Sequence, residues 1–226
     1  MTEETVTYNL TFTAGSAMLN ETHAVAEAFL QCEGDWNKTK ELTFRENLME
    51  KNRLSTNQRV FALMKQRISA LNGEELTLLV DGNMAARRQM VLLAICKAHP
   101  FIFDFIRENV RESFYSLHEK ISHSNFNEFF NEKKYIHPEL EQITDLTIAK
   151  IRQVIFRILE QTELIESAET GILRRPYLTE QVERVIIKDN ALWLTIFLYS
   201  NTEINSLVSL YSKFTSTAYE PFSIFQ

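Results

Sequence analysis

The stretch that most resembles a metal motif is His118-Glu119-Lys120-Ile121-Ser122-His123. A helical zinc-protease motif needs its two histidines four residues apart, so that both reach the metal from one face. Here they are five apart, which turns them about 140° around a helix and off a common face. They read as solvated histidines near a helix end, so the chain is expected to hold no metal and to need no cofactor. Five singly scattered glycines cannot build a phosphate loop, and no G-x-S-x-G elbow occurs. Neither Cys32 nor Cys96 has the surroundings of a nucleophile, and the pair is too small for a disulfide framework. Glu74-Glu75 sits where a helix N-terminus favours negative charge, so capping accounts for it. The expectation is a protein that is not an enzyme and takes no small-molecule substrate.

The residues that could act are cations. The chain has a formal net charge of −6, which argues against indiscriminate coating of nucleic acid. The charge is unevenly placed. Residues 1–35 carry −6, residues 36–68 carry +5, residues 69–144 carry −3, residues 145–188 balance, and residues 189–226 carry −2. The basic island consists of Lys38, Lys40, Arg45, Lys51, Arg53, Arg59, Lys65 and Arg67. A polyanion would dock there if it docks anywhere.

The elements that must position these residues are helices. Nine Gly and Pro in 226 residues leave few turn signals, which disfavours a barrel or sandwich, and sixteen Phe suit a helical core. Periodicity predicts helices over about 15–31 and 37–51, then a third whose buried face is Val60, Phe61, Met64 and Ile68, opened by a Ser55/Gln58 capping box. The Lys51–Leu54 turn between the second and third makes a helix-turn-helix candidate, although bundle helices use similar connections. A brief helix runs from Gly73 to the stop at Gly82. Another opens near Asn83, and Pro100 starts a further one with an apolar Phe101, Phe105, Val110, Phe114 stripe opposite Arg107 and Arg111. Ser124 is expected to cap a short helix ending near Tyr135.

Residues 145–162 form the clearest amphipathic helix, with Ile148, Ile151, Val154, Ile155, Ile158 and Leu159 on one side. The apolar pairs Leu164-Ile165 and Ile172-Leu173 around Gly171 predict a small β-hairpin, which would complete a winged helix. Helices over about 179–188 and 190–199 and an aromatic tail (Phe214, Tyr219, Phe222, Phe225) follow. The fold class expected is all-α, a multi-helix bundle with a helix-turn-helix-like N-terminal part. Two domains are expected, 1–136 and 137–226. The acidic start is not a signal peptide and the apolar run 191–199 is too short to span a bilayer, so a cytoplasmic location without membrane contact is expected.

The run Glu46-Asn47-Leu48-Met49-Glu50-Lys51-Asn52-Arg53-Leu54-Ser55-Thr56-Asn57-Gln58-Arg59, with Arg67-Ile68 and Leu71, resembles the N-terminal signature of the BrxA family. The likeness continues through Leu92-Leu93-Ala94, residues 103–112, residues 147–154 and the Gly171–Leu178 turn, and covers about residues 15–190. These are scattered identities. The family is the A component of BREX bacteriophage-exclusion systems, likened to NusB-type helical nucleic-acid binders. The resemblance implies a cytoplasmic bacterial defence protein that binds DNA without known catalysis. It would work beside a DNA methyltransferase, a phosphatase-like protein and a large ATPase.

Two surfaces then compete for DNA, expected to be double-stranded. On the basic island, Lys51, Arg53, Thr56, Asn57, Arg59 and Lys65 would touch phosphates around the start of the third helix, unless acids such as Glu46 and Glu50 neutralise them. On the 145–162 helix, Thr147, Lys150, Gln153 and Arg157 would face a groove, with Arg174 and Arg175 of the hairpin on flanking phosphates. Glu160, Glu163, Glu166 and Glu169 would repel phosphate near the end of that helix. The competing class is a protein–protein adaptor that docks its acidic start or aromatic tail on another defence component.

Overall fold

The computed structural model of the chain describes residues 7–116 and 118–217. A 3-10 turn at Thr11–Ala14 leads into α1 (Leu19–Gln31), α2 (Trp36–Arg45), α3 (Leu54–Ser69), α4 (Gly73–Asp81) and α5 (Met84–Ala98). Next come α6 (Pro100–Phe105), a π-helical turn (Ile106–Val110), α7 (Arg111–Tyr115), α8 (His123–Lys134) and α9 (Asp145–Gln161). The described chain closes with α10 (Glu180–Asn190), a 3-10 segment (Ala191–Phe197) and α11 (Asn201–Thr217). The expected all-α class is the observed one.

α5 is the axis of the fold. Every residue from Gln89 to Cys96 is buried, so it is apolar nearly all round and needs neighbours on each side. It packs against α1, α3, α4, α6 and the Ala191–Phe197 segment. Beyond Pro100 the rings of Phe101, Phe105, Phe126, Phe129 and Phe130 meet edge-to-face at centroid distances of 5.3–6.3 Å. Such offset contacts add to the burial of the rings themselves. One buried cluster runs from Tyr8 to Tyr199 and crosses the 136/137 boundary expected from sequence. The C-terminal part is tied to the first helices through α10 on α4 and through the Lys188–Glu74 ion pair.

Among the described residues no single helix is long and apolar enough to cross a membrane. α5 and the α6–α7 helix are apolar together, but they meet at 112°. Most of their apolar residues are spent on the core.

Several boundaries differ from those read from sequence. α2 stops at Arg45, and residues 46–53 form an eight-residue connection with Asn47 and Glu50 in the left-handed region, where a helix-turn-helix uses three or four. The Ser55/Gln58 capping box does not form, because the helix starts two residues earlier and Arg53 is its N-cap. α8 is boxed by Ser122 with Asn125, not capped by Ser124. Residues 191–197 are 3-10 rather than α. α11 replaces the first part of the expected tail, whose Tyr219, Phe222 and Phe225, with the Phe214 side chain, lie outside the described residues.

The β-hairpin is not formed. Residues 172–174 bridge once to Ile165 on one side and once to Lys120 on the other, and no strand occurs among the described residues. The geometry leaves no room for more. Glu163 turns into the left-handed region directly after α9, a turn occupies Ser167–Gly171, and Pro176 has no N–H with which to extend a ladder.

Candidate nucleic-acid interface

The basic island meets solvent on α2 and on α3, and α3 carries the cations closest to a helix start. Val60, Phe61, Leu63, Met64 and Ile68 bury one side of the helix, and this leaves Arg59 and Lys65 on exposed sides. Arg53 sits at the N-cap and gives the helix no side-chain cap, so first-turn N–H groups are left for solvent or a ligand. Arg53 and Arg59 are exposed, and neither has an ion-pair partner among the described residues. The Lys65 ammonium lies 5.5 Å from the centre of the Trp36 ring, a cation–π contact that leaves its charge accessible.

Lys38 and Lys40 on α2 are exposed as well, with the Lys40 ammonium 5.7 Å from the centre of the Phe44 ring, whereas the remaining residues named for the island are paired or at least partly buried. Lys51 Nζ donates to Glu21 at 2.8 Å. Asn57 Nδ2 donates to the Lys51 carbonyl at 3.2 Å, which closes the loop ahead of α3. Thr56 is half-buried. Arg45 pairs with Glu46 at 2.9 Å. Arg67 is fully buried, and its guanidinium donates to the carbonyls of Gly15, Ser16 and Ala17. Burial lowers its pKa from the usual guanidinium range, yet it stays protonated at neutral pH. His99 is also buried; burial first and the Arg67 charge second push its pKa down to about 3, so it is neutral.

Arg67 fixes the N-terminal segment against α3, and Tyr8 fixes the segment's start. The Tyr8 hydroxyl donates to Asp104 at 2.7 Å, its backbone N–H donates to Glu139 at 2.7 Å, and its ring stacks on His137 at 3.8 Å. Burial and the Asp104 carboxylate push the Tyr8 phenol above its ordinary range, so it stays a neutral donor. The pinned segment and α3 enclose a groove of about 410 Å³, lined by Asn9, Thr11, Thr13, Ala14, Arg59, Ala62, Leu63 and Gln66. Sequence reasoning found Arg59 and missed the others. Thr11 and Gln66, joined by a 3.3 Å hydrogen bond, are 55 residues apart, so no spacing signals the pair.

The α9 surface is split. Thr147, Lys150, Gln153 and Arg157 share one exposed side; Thr147 pairs with the Thr144 cap and Lys150 donates to Gln153 at 3.1 Å. Arg174 and Arg175 do not join them as free charges. Arg174 meets Glu166 at 2.7 Å; Arg175 meets Glu203 at 2.8 Å and lies 4.3 Å from the centre of the Tyr199 ring. Of the two histidines first considered, His118 is exposed, while His123 opens α8 and sets its ring edge-on to Phe156 at 4.7 Å. The described residues contain no group of three or more side chains placed to hold a metal ion.

The family model for BrxA matches residues 6–190. The chain belongs to the BrxA family. The match takes in both α3 and α9 and stops at the end of α10. Among BrxA relatives, the BREX protein BrxA of Escherichia coli O9:H4 (strain HS) is 25% identical over 172 residues, covering 76% of this chain and 80% of that protein. The BREX protein BrxA of Bacillus cereus (strain H3081.97) is 24% identical over 150 residues, covering 66% and 71%. The BREX protein BrxA of Paramagnetospirillum magneticum (strain ATCC 700264 / AMB-1) is 22% identical and covers 92% of that protein. A crystal structure of an uncharacterized protein from Magnetospirillum magneticum superposes with a TM-score of 0.75 at 19% identity, covering 85% of this chain and 98% of that one. That likeness concerns the fold of this BrxA family member alone.

Proposed function

We propose that this protein is a non-catalytic DNA-binding component of a BREX phage-defence system, acting in the cytoplasm and holding duplex DNA mainly through its backbone phosphates. The observation that carries the reading is the pair Arg53 and Arg59, exposed at the start of α3 without carboxylate partners in a chain whose other arginines are mostly paired or buried. Phosphate contact needs unpaired cations, and counterion release gives it a steep salt dependence. Lys65 adds a third charge on α3, and Lys150 and Arg157 on α9 offer a second, weaker contact. With Arg174 and Arg175 facing carboxylates, flanking phosphate contacts there would require those ion pairs to open. Other BREX components, the methyltransferase among them, are the partners this role implies.

Mobility shift of a duplex by the purified protein, repeated across salt concentrations, tests the reading. Log affinity falling steeply and linearly with log salt supports it. No shift at low salt, with another BREX component co-purifying, replaces it with the adaptor reading.

A further inference from the structure

Contacts to phosphates on a duplex surface would use Arg59 and leave the groove beside it empty. Its volume of about 410 Å³ lies within the roughly 300–1,000 Å³ typical of small-molecule sites. Its floor is apolar, made by Ala14, Ala62 and Leu63. Its rim carries the Asn9 amide, the Thr11 and Thr13 hydroxyls, the Gln66 amide and the Arg59 guanidinium; no carboxylate lines it.

The rim chemistry is directional. Asn9 Oδ1 already accepts from the Thr11 N–H at 2.9 Å, so the free part of that amide is its N–H₂ donor. The Thr13 hydroxyl donates to the Leu10 carbonyl at 3.2 Å, and the Thr11 hydroxyl donates to Gln66 Oε1 at 3.3 Å. Both hydroxyl oxygens keep lone pairs to offer. The groove therefore presents one cation, an amide donor and several acceptors around an apolar floor. Its walls are held in place from behind by Arg67 and Tyr8, so little ordering is required when a ligand enters.

We propose that this groove is a single-stranded DNA subsite that takes one nucleotide, with the phosphate on Arg59 and the sugar and base laid over Ala14, Ala62 and Leu63. The idea rests on the DNA-binding reading above and narrows it. Duplex bases are stacked inside the helix and cannot reach such a floor, whereas an unstacked nucleotide of a single strand can fill it. Base N–H groups would find the Thr11 and Gln66 oxygens, and the cation would take the phosphate.

Fluorescence anisotropy with labelled dT10 and with a 20-base-pair duplex decides the matter. Ala62 is exposed, so Ala62→Phe fills the floor while keeping every charge and leaving the core untouched; Ala62→Leu is a milder second variant. Ala62→Phe should weaken dT10 binding by about tenfold, with Ala62→Leu in between and the duplex affected less than about twofold. Arg59→Gln should weaken both probes. Wild-type affinity for dT10 in both Ala62 variants, with their melting curves unchanged, overturns the subsite. Tighter binding of U10 than of dT10 overturns its assignment to DNA. Loss of the duplex signal alone, with dT10 still sensitive to Ala62, removes the duplex reading and keeps the subsite.

Discussion

Lys97 Nζ lies 2.7 Å from both carboxylate oxygens of Glu75, and both side chains are buried. Asp189 joins them at 2.8 Å, and it also accepts from the Trp193 indole N–H at 3.0 Å and from Asn72 Nδ2 at 3.4 Å. Glu75 also completes the capping box of α4 by accepting from the Asn72 N–H. A helix cap, the central helix α5 and the end of α10 thus share one charge cluster, buried at Glu75 and Lys97 and open to solvent at Asp189. Partial burial pushes the Asp189 carboxyl up, but Lys97 outweighs this and holds it below the usual carboxylate range.

Lys97→Met should cost about 3–5 kcal/mol, because it leaves two carboxylates facing each other without a cation, one of them fully buried. The double variant Lys97→Met with Glu75→Gln should recover part of that loss. Urea denaturation of both variants measures it, and a single-variant cost below 1 kcal/mol would show the cluster to be dispensable.

Replacing Arg53 and Arg59 with Gln should weaken duplex binding to all sequences alike. If each arginine neutralises one phosphate, the slope of log affinity on log salt should flatten by about 1.8. A double variant with wild-type affinity and slope removes α3 from the interface.

Arg67→Met supplies the contrasting case. Arg67 lies in the basic island by sequence, but its charge is spent on the carbonyls of Gly15, Ser16 and Ala17. The variant should lower the melting temperature and leave the salt slope of DNA binding unchanged. A flattened slope would place Arg67 among the phosphate contacts.

Stability should respond to acid through Glu203. Partial burial pushes its carboxyl up, but the Ser200 N–H and Arg175 outweigh this and hold it at about 2, against an ordinary value near 4.5. Its folded pKa is depressed, so its contribution is fully present above pH 4.5 and is lost as pH falls toward 2. Denaturation midpoints of wild type and Glu203→Gln should differ at pH 6 and converge near pH 2. A gap that stays constant across that window contradicts the assignment.

Gly171 turns through φ +63°, and a Cβ there would stand 2.0 Å from the Ile121 carbonyl oxygen. That carbonyl belongs to the segment carrying the Lys120–Ile172 bridge, which cannot step aside without breaking its pairing. Gly171→Ala should therefore cost at least the roughly 1–3 kcal/mol of a strained backbone residue. Thermal denaturation within about 0.5 kcal/mol of wild type would mean that the turn relaxes freely.

Much of the fold was legible in the order of residues. The periodic apolar faces of α3 and α9, the stop at Gly82, the Asn83 cap and the Pro100 start all depend on neighbours within a turn or two, and each stands where local chemistry puts it. The missing hairpin and the early end of the second helix each have their own cause. Apolar pairs around a glycine look alike whether they zip into strands or bridge once to a distant segment, and the end of α2 is set by the Asn47 and Glu50 turns rather than by periodicity.

Charge needed the tertiary structure most. The chain's order of residues determined that cations concentrate between residues 36 and 68 and that helices carry them. It could not say that Arg67 points inward, that Lys51 meets Glu21, that Arg174 and Arg175 meet Glu166 and Glu203, or that Arg53 and Arg59 stay free. Coulomb interactions act through space, so whether an arginine is available to a ligand depends on which carboxylates and carbonyls the packed helices bring within a few ångströms of it.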